Sequence, residues 1–338
     1  MKNDPNRNAG KSGADLHDPK NSDSIYSLAF LLTGCSITMP LIPRPEPLRE
    51  QVIEGKGTAK ILLMDITGFI SERDKESGLL GSSSPSIMSQ VRETLQKAED
   101  DTAIDGVIVR INSPGGTITA SDIIHHDIVR FKDRRKVPVY ACIMSIGTSG
   151  GYYIAAATDN ITAHPTSITG SFAVMMMTMN IEGLMNKIGV SELTIKSGDK
   201  KDLLSPFRPA TPEEKQIVQT IINQFHKKFV DTIIARLGNT LSRKDIELLA
   251  DGRIYSSEQA LTAKLIDRVG YLDDVITEMK KKIGVKDAKV ITYYYPGSYK
   301  GTIYANSAAE SPRGMGIFSG GNSFDWLGET QFLYLWRP

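Results

Sequence analysis

Cysteine is nearly absent from this sequence: there are two in 338 residues, Cys35 and Cys142. Two thiols can build neither a disulfide framework nor a thiolate zinc cage, and the five histidines fall into no H-E-x-x-H or comparable ligand spacing. No metal and no cofactor are expected. Net charge is missing as well. Forty Lys and Arg stand against 39 Asp and Glu, leaving +1, so no general field exists to hold nucleic acid. No apolar run reaches the ~20 residues of a membrane span, and no segment repeats at the period of a solenoid or propeller. What remains, 40% hydrophobic and 23% charged, is an ordinary globular composition. The length fits two domains, or one larger α/β domain with trimmed ends.

The first 24 residues are polar, with Lys2, Arg7, Lys11 and Lys20 balanced by four aspartates. A short apolar run then occupies 25–32, within the ~7–15 residues of a signal-peptide core, and ends in Leu32-Thr33-Gly34-Cys35. Small residues before a cysteine at the end of such a run resemble the lipobox of bacterial lipoproteins. The resemblance implies that 1–34 is a lipoprotein-type signal segment and that Cys35 carries lipid, anchoring the chain at the extracytoplasmic face of a membrane. The other reading of this stretch is a buried strand and a buried thiol. Pro40, Pro43, Pro45 and Pro47 then make 35–58 a stiff tether.

From Ala59 apolar runs of strand length alternate with segments of helical period, the signature of βαβ units around a largely parallel sheet. Strands are expected at 59–66, 106–111, 137–143, 160–164, 171–178, 191–196 and 288–295. Helices are expected at 86–99, 118–132, 149–157, 181–188, 212–237, 242–250 and 256–264. The long one opens on Thr211-Pro212-Glu213-Glu214, a capping box with proline at the first helical position, and stops at Gly238. The tail, 296–338, turns to Gly, Ser, Asn and Pro and closes on the apolar Phe332-Leu333-Tyr334-Leu335-Trp336, which is expected to dock on the chain's own core.

Two glycine turns carry the chemistry. In Gly147-Thr148-Ser149-Gly150-Gly151 a strand runs through small residues into an Ala-rich helix, which presents one serine beside backbone amides. That is the layout of a nucleophile with an oxyanion site, and also of a plain N-cap. Asn112-Ser113-Pro114-Gly115-Gly116 follows another strand, so the N–H groups of Gly115 and Gly150 are the candidate oxyanion donors. A serine needs a base. The candidates are His164, the pair His125 and His126, and the lysines of the loop 196–207, among them Lys200 and Lys201.

The runs I-N-S-P-G-G (111–116), T-S-G-G-Y-Y-I-A (148–155), T-S-I-T-G-S (166–171), I-K-S-G-x-x-K-D (195–202), S-P-F-R (205–208) and D-G-R-I-Y-S-S-E-Q-A (251–260) occur in the order found in SppA-type signal peptide peptidases of the short, single-unit kind, and the chain resembles that family over about 59–295. The resemblance implies a crotonase/ClpP-like α/β fold, built of repeated β-β-α units around a largely parallel sheet with additional C-terminal helices. It also implies a Ser/Lys peptidase domain in which Ser149 is the nucleophile, Lys201 the general base and Ser171 the hydroxyl that orients the lysine. Lys200 is expected to be solvated. Thr148 departs from the alanine common at its position.

A lysine accepts a proton only when neutral, which requires burial; Leu203, Leu204 and Phe207 offer apolar neighbours. The resemblance implies peptide substrates, signal-peptide remnants or other hydrophobic peptides, and a homo-oligomer whose sites are shared between protomers. The methionines 175–177 and Met179 are a soft subsite or a buried strand. A crotonase-type hydratase or isomerase acting on a thioester would keep the glycine loops and leave the Ser149/Lys201 pair idle. ClpP-like Ser/His/Asp chemistry would use His164, and a non-catalytic membrane scaffold would need neither residue.

Overall fold

Seven strands in parallel pairings frame the described residues. A computed structural model describes residues 47–77, 82–296, 300–305 and 332–336. Cys35, the apolar run before it and most of the proline stretch lie outside the described residues. The main sheet has nine strands. Seven form its path, in the order β1 (Arg49–Glu54), β13 (Lys289–Tyr294), β2 (Lys60–Thr67), β5 (Ile104–Ser113), β7 (Val139–Thr148), β8 (Asn160–Ala163) and β12 (Arg268–Val269). All but β1 run parallel. At its far end β7 also pairs with β9 (Ile168–Gly170), which takes β11 (Ile254–Ser256) antiparallel. A small pair joins β3 (Lys75–Ser77) to β4 (Ser82–Ser84).

Both faces of the sheet are covered, which is why its strands read as nearly continuous apolar runs. Side chains alternate along β2, with Leu62, Met64 and Ile66 on one face and Ile61 and Leu63 on the other. The first face carries α1 (Ile87–Asp100), α2 (Ile118–Arg135), α3 (Gly150–Ala155) and the C-terminal half of α5 (Pro212–Leu237). Leu272, Val275, Ile276 and Met279 of α8 (Leu272–Lys282) cover the second. Three short helices complete the set: α4 (Glu182–Ile188), α6 (Arg243–Leu249) and α7 (Ser257–Thr262). The capping box at α5 forms as expected, with Thr211 Oγ1 accepting from the Glu214 amide at 3.2 Å.

On the second face a buried ionic clasp ties the segment 300–305 to the sheet. Asp65 of β2 accepts from Nε of Arg110 at 2.7 Å and from the Lys300 ammonium, and Arg110 also donates to the Ala305 carbonyl at 2.6 Å. Burial alone would push the Asp65 carboxyl up; Lys300 and Arg110 hold it below its ordinary value.

A second sheet, in the order β10 (Met175–Met176), β14 (Phe332–Leu335), β6 (Gly115–Thr117), is antiparallel throughout. The apolar C-terminal end therefore docks on the chain's own body, as a middle strand.

Several expectations differ from what is found. The strand placed at 171–178 shrinks to β10, because Ser171 takes a left-handed conformation, φ 57°, that turns the chain after β9. Residues 191–196 form no strand; Leu193 is 88% and Ile195 92% exposed, and no described residue pairs with them. In the segment read as a tether, β1 pairs with β13, its Val52 and Ile53 set among charged residues that masked it. The helix α8 had no counterpart in the sequence reading.

Candidate active site

The turn between β7 and α3 holds Ser149 at φ 53° and ψ −115°, a conformation that a residue with a side chain adopts only when its surroundings force it. Those surroundings are identifiable. The Ser149 amide donates to the Gly170 carbonyl at 2.7 Å, and the Tyr153 amide donates back to the Ser149 carbonyl at 2.9 Å. The side chain is fully buried, and Oγ has no hydrogen-bond partner among the described residues. A buried hydroxyl without a partner is costly and rare in native folds, and it fits a group whose partner arrives with substrate or with a second subunit.

Gly115 lies beside it. A β-carbon on Gly115 would stand 2.0 Å from the Tyr334 carbonyl oxygen and 2.9 Å from the Gly150 nitrogen, and its φ of 106° suits glycine alone. The two glycine loops thus meet at one point, with a carbonyl of β14 pressed against it. The N–H of Gly115 is engaged elsewhere, donating to Ser113 Oγ at 3.1 Å. The register pairs Leu335 with Gly115 and Tyr334 with Gly116, and the Trp336 amide donates to the Pro114 carbonyl at 2.9 Å. In an antiparallel ladder every second pair is hydrogen-bonded, so the next such pair is Gly116 with Tyr334. It is the Gly116 N–H that faces the Tyr334 carbonyl.

Around β14 the groove is aromatic. The Tyr334 ring packs 4.5 Å from Phe229 and 5.2 Å from Tyr153, and its hydroxyl donates to the Phe225 carbonyl at 3.0 Å. Phe332 meets Phe225 at 5.2 Å. Met175 and Met176 form the opposite edge through β10, so two of the methionines border the groove.

Ser171 comes next to the nucleophile turn, since Gly170 before it accepts the Ser149 amide. Lys201 does not meet Ser149 within one chain, where Oγ is unpartnered. It lies exposed in a loop whose other cations are paired. Lys196 reaches Asp202 at 2.6 Å, Arg208 bridges Asp202 at 2.9 Å and Glu214 at 2.5 Å, and Lys200 holds Glu213. The Glu213 contact raises the Lys200 ammonium above its ordinary value. Among the described lysines of this loop, only Lys201 is left without a partner.

Among the described residues no histidine replaces it, since Ser149 Oγ has no partner. His164 hydrogen-bonds Thr166 at 2.9 Å and packs edge-on against Tyr271 at the start of α8, on the face of the sheet away from α3. His125 is half-buried against Tyr153, and desolvation pushes it down to about 4. Sequence reasoning missed Ser113, Gly116 and Tyr334. The paired glycines of 115–116 signalled a loop without saying which amide faces the groove.

Residues 131–286 match the Peptidase family S49. A signal peptide peptidase SppA of Enterococcus faecium is 34% identical over 73% of this chain and 71% of its own length. Protease 4 of Haemophilus influenzae is 28% identical over 66% of this chain, which spans 35% of that larger protein. Among solved structures, a ClpP1 mutant from Listeria monocytogenes aligns over 63% of this chain and 92% of its own at a TM-score of 0.40 and 17% identity. The chain belongs to the S49 peptidases of the SppA type, and it is a serine peptidase.

Proposed function

We propose that the protein is a membrane-anchored endopeptidase that degrades signal-peptide remnants and other hydrophobic peptides through a Ser149/Lys201 dyad shared between protomers. The observation that carries this reading is β14: an extended segment lies antiparallel between β6 and β10, with a backbone carbonyl against the point where the Gly115 and Gly150 loops meet, beside the unpartnered Ser149 hydroxyl. A substrate peptide bound in that register would put its scissile carbonyl there. The aromatic walls around Tyr334 favour large apolar side chains.

In this mechanism the neutral Lys201 amine of a neighbouring protomer, oriented by Ser171, takes the Oγ proton as Ser149 attacks the carbonyl carbon. The π electrons move to oxygen, which accepts from the amides of Gly150 and Gly116, Gly115 being already bonded to Ser113. Collapse expels the amine, which takes the proton from the lysine, and water releases the acyl group by the same route. The unpaired Lys201 and the apolar side chains left exposed on its arm, Leu184, Ile188, Leu193 and Ile195, support completion by a second copy. Docking would bury them and bring the lysine to the serine of the next copy.

A fluorophosphonate probe should label the wild type at Ser149 and leave Ser149→Ala unlabelled; labelling at another residue would remove the nucleophile. The anchor rests on the apolar run that ends at Cys35. Mass spectrometry of the membrane fraction should find an acylated N-terminus at Cys35, and recovery of soluble chain beginning at Met1 would overturn it.

A further inference from the structure

Two buried hydroxyls outside the dyad converge on Pro114 and Gly115. Ser113 Oγ donates to the Gly68 carbonyl at 2.6 Å and accepts the Gly115 N–H at 3.1 Å. Thr148, immediately before the nucleophile, donates through Oγ1 to the Pro114 carbonyl at 3.2 Å. Both side chains are fully buried. The backbone also holds this segment, with the Ile70 amide donating to the Gly115 carbonyl at 2.9 Å and the Trp336 amide to that of Pro114 at 2.9 Å, but proline has no N–H to add and Gly115, at a φ of 106°, is the residue type with the most freedom to leave that conformation.

The two bonds have complementary consequences. The Ser113 bond turns the Gly115 amide away from the groove and anchors the loop to the turn after β2, which leaves the Gly116 N–H and the Pro114 carbonyl facing the bound strand. The Thr148 bond ties that loop to the residue next to Ser149. It thereby fixes the separation between the Gly116 amide on one loop and Ser149 and the Gly150 amide on the other. The Pro114 carbonyl serves both, accepting from Thr148 and from the backbone N–H of Trp336.

We propose that Ser113 and Thr148 form a hydroxyl brace that positions the oxyanion donors against the nucleophile; this rests on the catalytic reading of Ser149 given above. They are positioning residues, touching neither the scissile bond nor the base. An amide misplaced by a fraction of an ångström still binds a ground-state carbonyl but holds the oxyanion poorly, so the loss should fall on kcat. Losing an oxyanion donor outright costs ~10²–10³ in kcat, and losing its support should cost less.

The test uses the full-length assembled enzyme, a chromogenic hydrophobic peptide and the fluorophosphonate probe, whose phosphoryl oxygen occupies the same oxyanion position. Thr148→Val keeps the shape and removes the hydroxyl; roughly tenfold lower kcat and acylation rate are expected, with KM within about twofold. Thr148→Ser, which retains the donor, should restore both to within about threefold of wild type. Ser113→Ala should match or exceed the Thr148→Val loss, and the double variant should lose less than the product of the two, as coupled sites do. Wild-type kcat in Thr148→Val, or a change confined to KM, overturns the brace, and so does failure of Thr148→Ser to rescue. If Ser113→Ala does not fold, the two Thr148 variants decide alone. A wild type that is not acylated at Ser149 defeats the catalytic reading and the brace together, whereas acylation that is equal in all variants defeats only the brace.

Discussion

At the scale of single residues, Ser149 separates function from stability. Its hydroxyl is buried without a partner, so Ser149→Ala deletes no hydrogen bond and removes an unsatisfied polar group. The variant should lose all but background hydrolysis while its melting temperature stays equal to wild type or rises, which calorimetry reads directly; a drop of several degrees would mean the hydroxyl has a structural partner. Lys201→Ala should lose activity to a similar depth because the pair acts as a unit. Lys200→Ala should stay within about twofold of wild type, since its ammonium is committed to Glu213 at the surface. Retained activity in Lys201→Ala would transfer the base elsewhere. The place of Ser149 was legible in sequence because a strand, a small-residue turn and an Ala-rich helix leave one position for a serine between them. Lys196, Lys200 and Lys201 look alike in a row of letters: the resemblance alone picks out Lys201, and the salt bridges of Lys196 and Lys200 then set those two apart from it.

At the scale of elements, the sequence disclosed what local patterning controls and hid what distant partners decide. The capping box of α5 and the parallel core strands β2, β5 and β7 follow from caps and apolar runs. The apolar stretch at 191–196 reads as a strand by the same rule, yet no neighbour among the described residues pairs with it. β14 docks against Gly115–Thr117, a pairing that no local signal announces. Its Tyr334 is fully buried, and burying one large side chain is worth about 1.5–3 kcal/mol. As occupancy of the groove, that lowers the free site by roughly 10- to 100-fold. Deleting 332–338 should raise the acylation rate of Ser149 by about that factor; an unchanged rate would show that the strand leaves the groove as fast as probe arrives.

The loop that carries Lys201 has its own pH signature. Hydrogen bonds from Arg208, then from Lys196, hold the Asp202 carboxyl below its ordinary value, and Arg208 with the Thr211 amide does the same for Glu214. Lowered carboxyl values mean stability that is present above the unfolded pKa, ~4, and is lost as pH falls from there through the folded values. Protection factors of the hydrogen-bonded amides across 196–214, the intrinsic exchange rate divided by the measured one at each pH, should fall below about pH 4, while those of β5 and β7 stay unchanged. Arg208→Ala should remove the difference by loosening the loop at every pH.

At the scale of the whole molecule, the proposed shared site would make each chain a carrier of half-sites. Ser149, Gly150, Gly116 and Ser171 gather at one end of the sheet, whereas Lys201 stands unpaired on an arm whose apolar side chains face outward. An arm that docks head to tail on the next copy makes a heterologous contact, and such contacts close into rings or run on as filaments. In either assembly the proposed complete site would take its serine from one protomer and its lysine from the neighbour. Ser149→Ala and Lys201→Ala subunits are each inactive alone, but exchanged together in equal amounts they should place both intact groups in about a quarter of the sites. Peptidase activity recovered to roughly that fraction of wild type, with fluorophosphonate found only on the Lys201→Ala chains, would match the shared site. No recovery after verified subunit exchange, or a fully active monomer by light scattering, would put the base within the same chain as the serine.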